Sequence, residues 1–91
     1  MDFEWDAAKE RQNITKHGVP FREAIKAFDD PKRVILEDVK HSQSEARYYC
    51  FGKAGKNVMT VRYTLRYGKI RIIGAAYWRD GRRLYEEKNR V

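Results

Sequence analysis

The hydrophobic spacing of this chain changes from helical to strand period near residue 30, and that change limits the folds open to it more than any other feature. Through residue 28 the apolar positions recur at three and four: Phe21, Ala24, Ile25 and Phe28 fall on one helical stripe. From Val34 onward the apolar residues alternate or run in short blocks between Gly-containing turns. Helical spacing followed by strand spacing predicts helices that precede a sheet and cover it, an α+β arrangement.

The punctuation supports this division. Phe3-Glu4-Trp5 alternates and reads as a short opening strand, and Asp6 is placed to cap a polar helix over residues 7–16. His17-Gly18 stops that helix, because Gly suits the left-handed cap. Pro20 sits at the first turn of a second helix, which Asp29-Asp30-Pro31 ends. Val34-Ile35-Leu36 reads as a strand, followed by a polar loop through His41-Ser42-Gln43-Ser44. Residues 46–52, 58–65 and 70–77 read as three more strands, joined by turns at 53–57 and at Tyr67-Gly68. The connections are too short for crossovers, so these four strands are expected to be antiparallel. A last helix is expected from about Arg79 to Glu87, although Gly81 in its interior costs about 1 kcal/mol relative to Ala. The expectation is a four-stranded antiparallel sheet packed with two N-terminal helices and a C-terminal helix.

At 91 residues, 42% of them hydrophobic, the chain can bury one modest core, so residues 1–91 are read as a single domain. The one cysteine, Cys50, lies in an apolar run and reads as a buried small side chain. It can form neither an internal disulfide nor a thiolate metal site. No stretch approaches the roughly 20 apolar residues needed to span a bilayer. The acidic start, Met1-Asp2-Phe3-Glu4-Trp5-Asp6, lacks a signal-peptide core. The expectation is a soluble cytoplasmic protein with no membrane partner.

Charge is the most informative property for function. The net charge is +7, but residues 1–45 carry 8 Lys/Arg against 10 Asp/Glu, whereas residues 46–91 carry 12 against 3. Eight of those 12 are Arg, whose planar fork matches phosphate oxygens. A cation this localised suits a polyanion, either nucleic acid or an acidic protein, better than a face kept only for solubility.

Strand periodicity sharpens the picture. In 58–65, Met59, Val61, Tyr63 and Leu65 point one way and belong on the core, which leaves Arg62 in mid-strand on the other face. A two-residue turn at Tyr67-Gly68 would put Arg62 opposite Ile73, with Arg71 diagonal to it on the same face. Two guanidinium groups side by side repel unless an anion lies between them, or unless each pairs with a carboxylate. The second half offers only Asp80, Glu86 and Glu87 for that pairing. Arg79, Arg82 and Glu86 share a helical face, Tyr85 projects near the same edge, and Arg83 lies off it. Lys9 and Lys16, seven apart, lie on one helical stripe. His17 at the helix end is either an acid–base group or a cap; the dipole there favours its protonated form. His41 reads as surface. Tyr77 and Trp78 are candidates for base stacking, with core packing the competing role. Two separated His and scattered carboxylates do not form a metal-ligand cluster, and no phosphate-binding glycine loop or Ser–His–Asp arrangement occurs. No cofactor is expected.

Phe3-Glu4-Trp5-Asp6, Lys9, Asn13, Lys16-His17-Gly18, Phe21, Ala24, Phe28 and Asp30-Pro31 resemble the opening of the BrnT family. Arg47-Tyr48, Gly52, Val61-Arg62-Tyr63, Arg71-Ile72-Ile73-Gly74-Ala75, Tyr77-Trp78-Arg79 and Tyr85-Glu86 resemble its second half. The resemblance covers nearly the whole chain. It implies a RelE-like fold and a ribonuclease toxin of a type II toxin–antitoxin system that cleaves RNA without a metal. It also implies a BrnA-type antitoxin partner, in a hetero-oligomer that binds operator DNA through the antitoxin. Many members carry Ser-Ala-Arg where this chain has Gly74-Ala75-Ala76, and Arg79 is the residue that can stand in for the missing Arg. RelE-like enzymes place one Arg on a central strand, another at the end of the last strand and a Tyr in the C-terminal segment. By position these are Arg62, Arg79 and Tyr85.

The resulting expectation is attack of a 2′-OH on the adjacent phosphorus. Arg62 and Arg79 would stabilise the phosphoryl oxygens and Tyr85 or His17 would handle a proton. Lys9, Lys16, Lys53, Arg71, Arg82 and Arg83 would hold the RNA backbone. The alternatives are a non-catalytic nucleic-acid-binding module and a domain that binds an acidic protein.

Overall fold

The computed structural model describes residues 1–90. In chain order the elements are β1 (Phe3–Trp5), α1 (Ala7–His17), α2 (Phe21–Phe28), β2 (Val34–Glu37), a single 3-10 turn (Val39–His41), β3 (Arg47–Ala54), β4 (Asn57–Arg66), β5 (Lys69–Ala76) and α3 (Arg79–Lys88). The class is α+β, as expected, with three helices. The sheet, however, has five strands in the order β1-β5-β4-β3-β2, and it is mixed. Strands β2 to β5 are antiparallel neighbours, whereas β1 joins the free edge of β5 in parallel, pairing Phe3 with Ile70 and Trp5 with Ile72. The expected four-stranded antiparallel sheet is therefore incomplete by one strand. The chain between β1 and β5 holds all the other strands, so no local turn signals this pairing.

Local chemistry sets the boundaries. Asp6 caps α1 by accepting from the backbone N–H groups of Ala8 and Lys9 at 2.9 and 3.0 Å. Gly18, at φ 69°, closes α1 in the left-handed conformation. Pro20 precedes α2 and has no capping side chain, so Glu10 of α1 supplies one, its Oε2 accepting from Phe21 N–H at 2.9 Å. The β4–β5 turn puts both Tyr67 (φ 50°) and Gly68 (φ 77°) at positive φ, the geometry a tight two-residue hairpin needs.

The strands sort into two faces. Cys50, Met59, Val61, Tyr63, Ile70, Ile72 and Ala75 bury against Phe21, Ala24, Ala27 and Phe28 of α2, with Phe3 and Trp5 of β1 at the margin. Gly52 belongs to this packing, since a Cβ there would overlap the carbonyl oxygen of Ala27. Only α2 covers that face. The sequence reading gave the task to both N-terminal helices, but α1 sits beside β5, where β1 has ended. There the buried Asn13 side chain takes the place of a strand: its amide donates to Ala75 O at 2.9 Å and its oxygen accepts from Ala75 N–H at 3.1 Å. The same amide nitrogen donates to Val19 O at 2.9 Å.

The opposite face is covered over half its length by α3, where Phe51, Val58 and Tyr85 form a second small cluster with Leu84, Tyr49 and Val34. Gly81 is buried at the crossing, and a Cβ there would overlap Thr60 Oγ1 and press on the Phe51 ring. The interior glycine that weakens α3 as an isolated helix is what lets it lie flat on β4. The other half of this face, around Arg62, has no helix over it.

Candidate functional site

The open half of the second face is built from successive cross-strand rows. Tyr49, Arg62 and Gly74 make one row, and Arg47, Thr64 and Arg71 the next. A β-bulge between the rows changes the expected register: Tyr63 pairs with Ile72 and Arg62 with Gly74, so Ile73 is the extra residue. Arg62 therefore lies across a glycine instead of Ile73. Gly74 has no side chain to fill the floor, and the Arg62 side chain passes about 4 Å from where its Cβ would be.

A cleft of about 220 Å³ opens at this point between the sheet and α1. Lys9, Lys16, His17 and Arg62 are among its lining residues, with Gly74 and Trp78. Helical geometry explains the α1 contribution, since Lys9, Lys16 and His17 share the side of the helix turned to the open face once Asn13 has fixed its rotation. The His17 and Trp78 rings meet edge to face at 5.6 Å. Arg62 is half-buried, and among the described residues neither it nor Lys9 nor Lys16 forms an ion pair. Three unpaired cations lining one concave cleft, with Arg62 half-buried and the two lysines exposed, favour an anion there.

The structure distributes the remaining candidates differently. Arg71 lies on the Arg62 face as expected, but its guanidinium is 3.0 Å from Glu4 Oε2. The neutralising carboxylate comes from β1, at the other end of the chain from the three acidic residues of the second half. Arg79 and Arg82 line an adjoining cleft of about 340 Å³ with Asn57, Val58 and Tyr77; Trp78 borders both clefts. Tyr77 and Trp78 are about 40% exposed, so neither is a core residue. Arg83 is exposed on α3 with Asp80 at 4.0 Å. Lys53 is exposed near the β3–β4 hairpin, away from the Arg62 cleft.

Tyr85 is not at the cleft. It is 5% exposed, and its hydroxyl donates to Asp30 Oδ2 at 2.6 Å. Burial, reinforced by the Asp30 carboxylate, pushes its pKa up to about 12. Asp30 also accepts from the backbone N–H groups of Lys53 and Lys32 at 2.8 and 2.9 Å. Burial raises the Asp30 pKa, but these hydrogen bonds outweigh it and hold the carboxyl below its ordinary value. The pair ties together the α2–β2 loop, the β3–β4 hairpin and α3, which gives Tyr85 a structural role in place of the expected catalytic one. Cys50 is buried, and burial pushes its thiol up to about 12, as suits a packing residue.

Sequence reasoning missed Asn13 as the clamp that docks α1 and Gly74 as the floor under Arg62. Both are among the residues that resemble the BrnT family, but only a three-dimensional register assigns them a task. Among the described residues no three His, Cys, Asp or Glu side chains converge where a metal could sit, and no helix is long and apolar enough to cross a membrane.

A small α+β domain with a cationic cleft beside a half-open sheet is suited to holding the backbone of a nucleic acid. The chain belongs to the BrnT family, ribonuclease toxins of type II toxin–antitoxin systems, whose pattern matches residues 5–81. The match spans α1, α2, the rest of the sheet and the start of α3, so every residue lining the Arg62 cleft lies inside it. A search of curated proteins finds no match.

Proposed function

We propose that this toxin cleaves RNA at the Arg62 cleft by a metal-independent transfer reaction. The observation that carries the proposal is an unpaired Arg62 that lines one cleft with Lys9, Lys16, His17 and Gly74. The 2′-oxygen forms a bond to the adjacent phosphorus and the bond from phosphorus to the 5′-oxygen breaks. The 2′ proton goes to a base, and the departing oxygen receives one. The products are a 2′,3′-cyclic phosphate and a 5′-OH. Negative charge builds on the phosphoryl oxygens, and a guanidinium already in place stabilises it without reorganisation. His17 is the proton-transfer group of this cleft, since an imidazole ring can both accept and donate a proton. Trp78 offers a stacking surface beside it, and Arg79 and Arg82 continue the cationic track into the adjoining cleft. This division replaces the RelE-like assignment of Tyr85 while keeping Arg62 on a central strand and Arg79 just after the last one.

As a type II toxin the protein has an antitoxin partner, and the family supports one of the BrnA type, bound in a hetero-oligomer that reaches operator DNA through the antitoxin. RNA in the cytoplasm is the target we assign.

The test uses purified, EDTA-treated protein, bulk RNA and chemical analysis of fragment ends. Cyclic-phosphate ends are expected, and their yield falls about 100- to 1,000-fold in Arg62→Ala, the usual loss when one transition-state donor is removed. A DNA strand lacks the 2′-OH and stays intact. Cleavage of DNA, or activity that disappears with EDTA, overturns this mechanism. RNA that binds but is never cut, free or on translating ribosomes, reassigns the cleft to a binding module.

A further inference from the structure

The open face does not end at Arg62. Beyond β3 lies a groove of about 250 Å³ lined by Lys40, His41, Gln43, Ser44 and Arg47. The lining combines two permanent cations with an imidazole, an amide and a hydroxyl, and contains no carboxylate. The acidic residues flanking it, Asp38 and Glu45, each have a partner. Asp38 is buried with its Oδ2 2.8 Å from His41 Nδ1, and Glu45 is held by Arg66 through two contacts of 3.3 Å. Among the described residues Lys40 and Arg47 form no ion pair.

The loop that carries these groups is fixed. Ser42 Oγ donates to Asp38 O at 2.7 Å and accepts from Arg47 N–H at 2.9 Å, and Asp38 N–H donates to Arg47 O at 2.7 Å. With Nδ1 engaged by Asp38, the half-exposed His41 ring has only Nε2 left for a ligand. Arg47 is also placed relative to the cleft. Tyr49 is the cross-strand partner of Arg62, and Arg47 lies two residues before Tyr49 on the same face. Arg47 and Arg62 are therefore diagonal neighbours, about 7–8 Å apart at the backbone. That separation suits successive phosphates of an extended strand.

We infer that Lys40, His41 and Arg47 form a second phosphate subsite, which holds a neighbouring phosphate of a single-stranded RNA crossing the sheet from the Arg62 cleft. The inference rests on the nucleic-acid reading of that cleft, but not on its chemistry. Among the described residues the Lys40 and Arg47 side chains make no hydrogen bond or ion pair within the fold, so replacing them breaks no polar contact.

The experiment has two arms on the full-length protein. In the first, inorganic phosphate is titrated while backbone amide NMR signals are followed. Saturable shifts are expected at residues 40–47, and are lost in Lys40→Ala/Arg47→Ala. In the second, 2′-O-methyl RNA, which cannot be cleaved, is bound as a dinucleotide and as an octanucleotide. The double variant should weaken the octanucleotide about ten-fold, lower its log–log salt slope by about 1 to 2, and leave the dinucleotide unchanged. Lys40→Glu, at an exposed position, gives the same trend if the double variant folds poorly. Unchanged octanucleotide affinity, or phosphate shifts confined to the Arg62 cleft, overturns the subsite. So does loss of antitoxin affinity alone, which would assign the groove to an acidic protein segment. Failure of the cleavage mechanism leaves both readouts intact, because neither measures turnover.

Discussion

A phenol can act as an acid only if its proton can leave, and Tyr85 is held against that. Its neighbours make it a hydrogen-bond donor to a half-buried carboxylate, and the shared bond lowers Asp30 while it adds to the burial that raises Tyr85. Tyr85→Phe should therefore leave RNA cleavage near wild type. Its cost falls on stability, at about 1.5–3 kcal/mol, the usual range for a hydrogen bond to a charged group. Chemical denaturation and the RNA assay, run on the same preparation, check both halves. A large loss of activity in a stably folded Tyr85→Phe protein would return the residue to the catalytic set. The sequence could not separate these roles, because the tie to Asp30 joins residues 55 apart. Arg62 was legible for the opposite reason. Strand alternation alone turns it from the core, and the structure keeps it there.

At the scale of elements, the cleft depends on how two helices dock. Helix α1 is held beside β5 by one side chain, and Asn13→Ala would leave both polar groups of Ala75 without partners in a buried place. Each such group costs about 1–3 kcal/mol. Lys9, Lys16 and His17 ride on the same helix, so Asn13→Ala should lower the melting temperature and weaken RNA binding together. Amide exchange at Ala75 is the direct readout, and retained protection there would refute the clamp. For α3 the sign of Gly81→Ala is the test. Helix propensity alone predicts a gain of about 1 kcal/mol. The overlap with Thr60 Oγ1 and Phe51 predicts a net loss instead, and Thr60→Ala should recover part of it in the double variant. Denaturation midpoints of the single and double variants decide between them. These dockings also mark where sequence reading stops. Helix spans, caps and the Tyr67-Gly68 turn are set by neighbours in sequence and were readable to within one or two residues. The bulge at Ile73 shifts a register that simple strand alternation counts straight through, and the parallel pairing of β1 and the Glu4–Arg71 pair join residues from the two ends of the chain. Periodicity has no memory over that distance, so it placed Arg71 on the correct face without finding its partner.

For the whole molecule, the same basic excess that suits RNA also works against the folded state. Its pH response should show which groups offset that. Asp30 and Asp38 both titrate below their ordinary value of 3.8. In each, burial opposes the shift and is outweighed, at Asp30 by hydrogen bonds and at Asp38 by the bond and charge of His41. A depressed carboxyl contributes stability above its unfolded pKa and loses it as pH falls through the folded value. Cys50, Tyr63 and Tyr85 shift the other way, up to about 12, chiefly through burial. They contribute fully below their unfolded values of 9.0 and 10.0 and lose that contribution as pH rises towards 12. Stability should thus be flat from about pH 5 to 8 and fall on both sides. The acid limb has two sources, because protonating the surface carboxylates also increases net repulsion in a chain already at +7. Salt separates them. Repulsion between exposed charges is largely screened beyond about 3 Å at 1 M ionic strength, whereas the Tyr85–Asp30 bond is sheltered. Denaturation midpoints of wild type and Asp30→Asn, measured from pH 2.5 to 7 at 1 M salt, isolate the Asp30 contribution. The variant should be less stable at neutral pH and show a shallower acid limb. Parallel curves would mean that repulsion alone drives the acid transition and that Asp30 contributes equally in both protonation states.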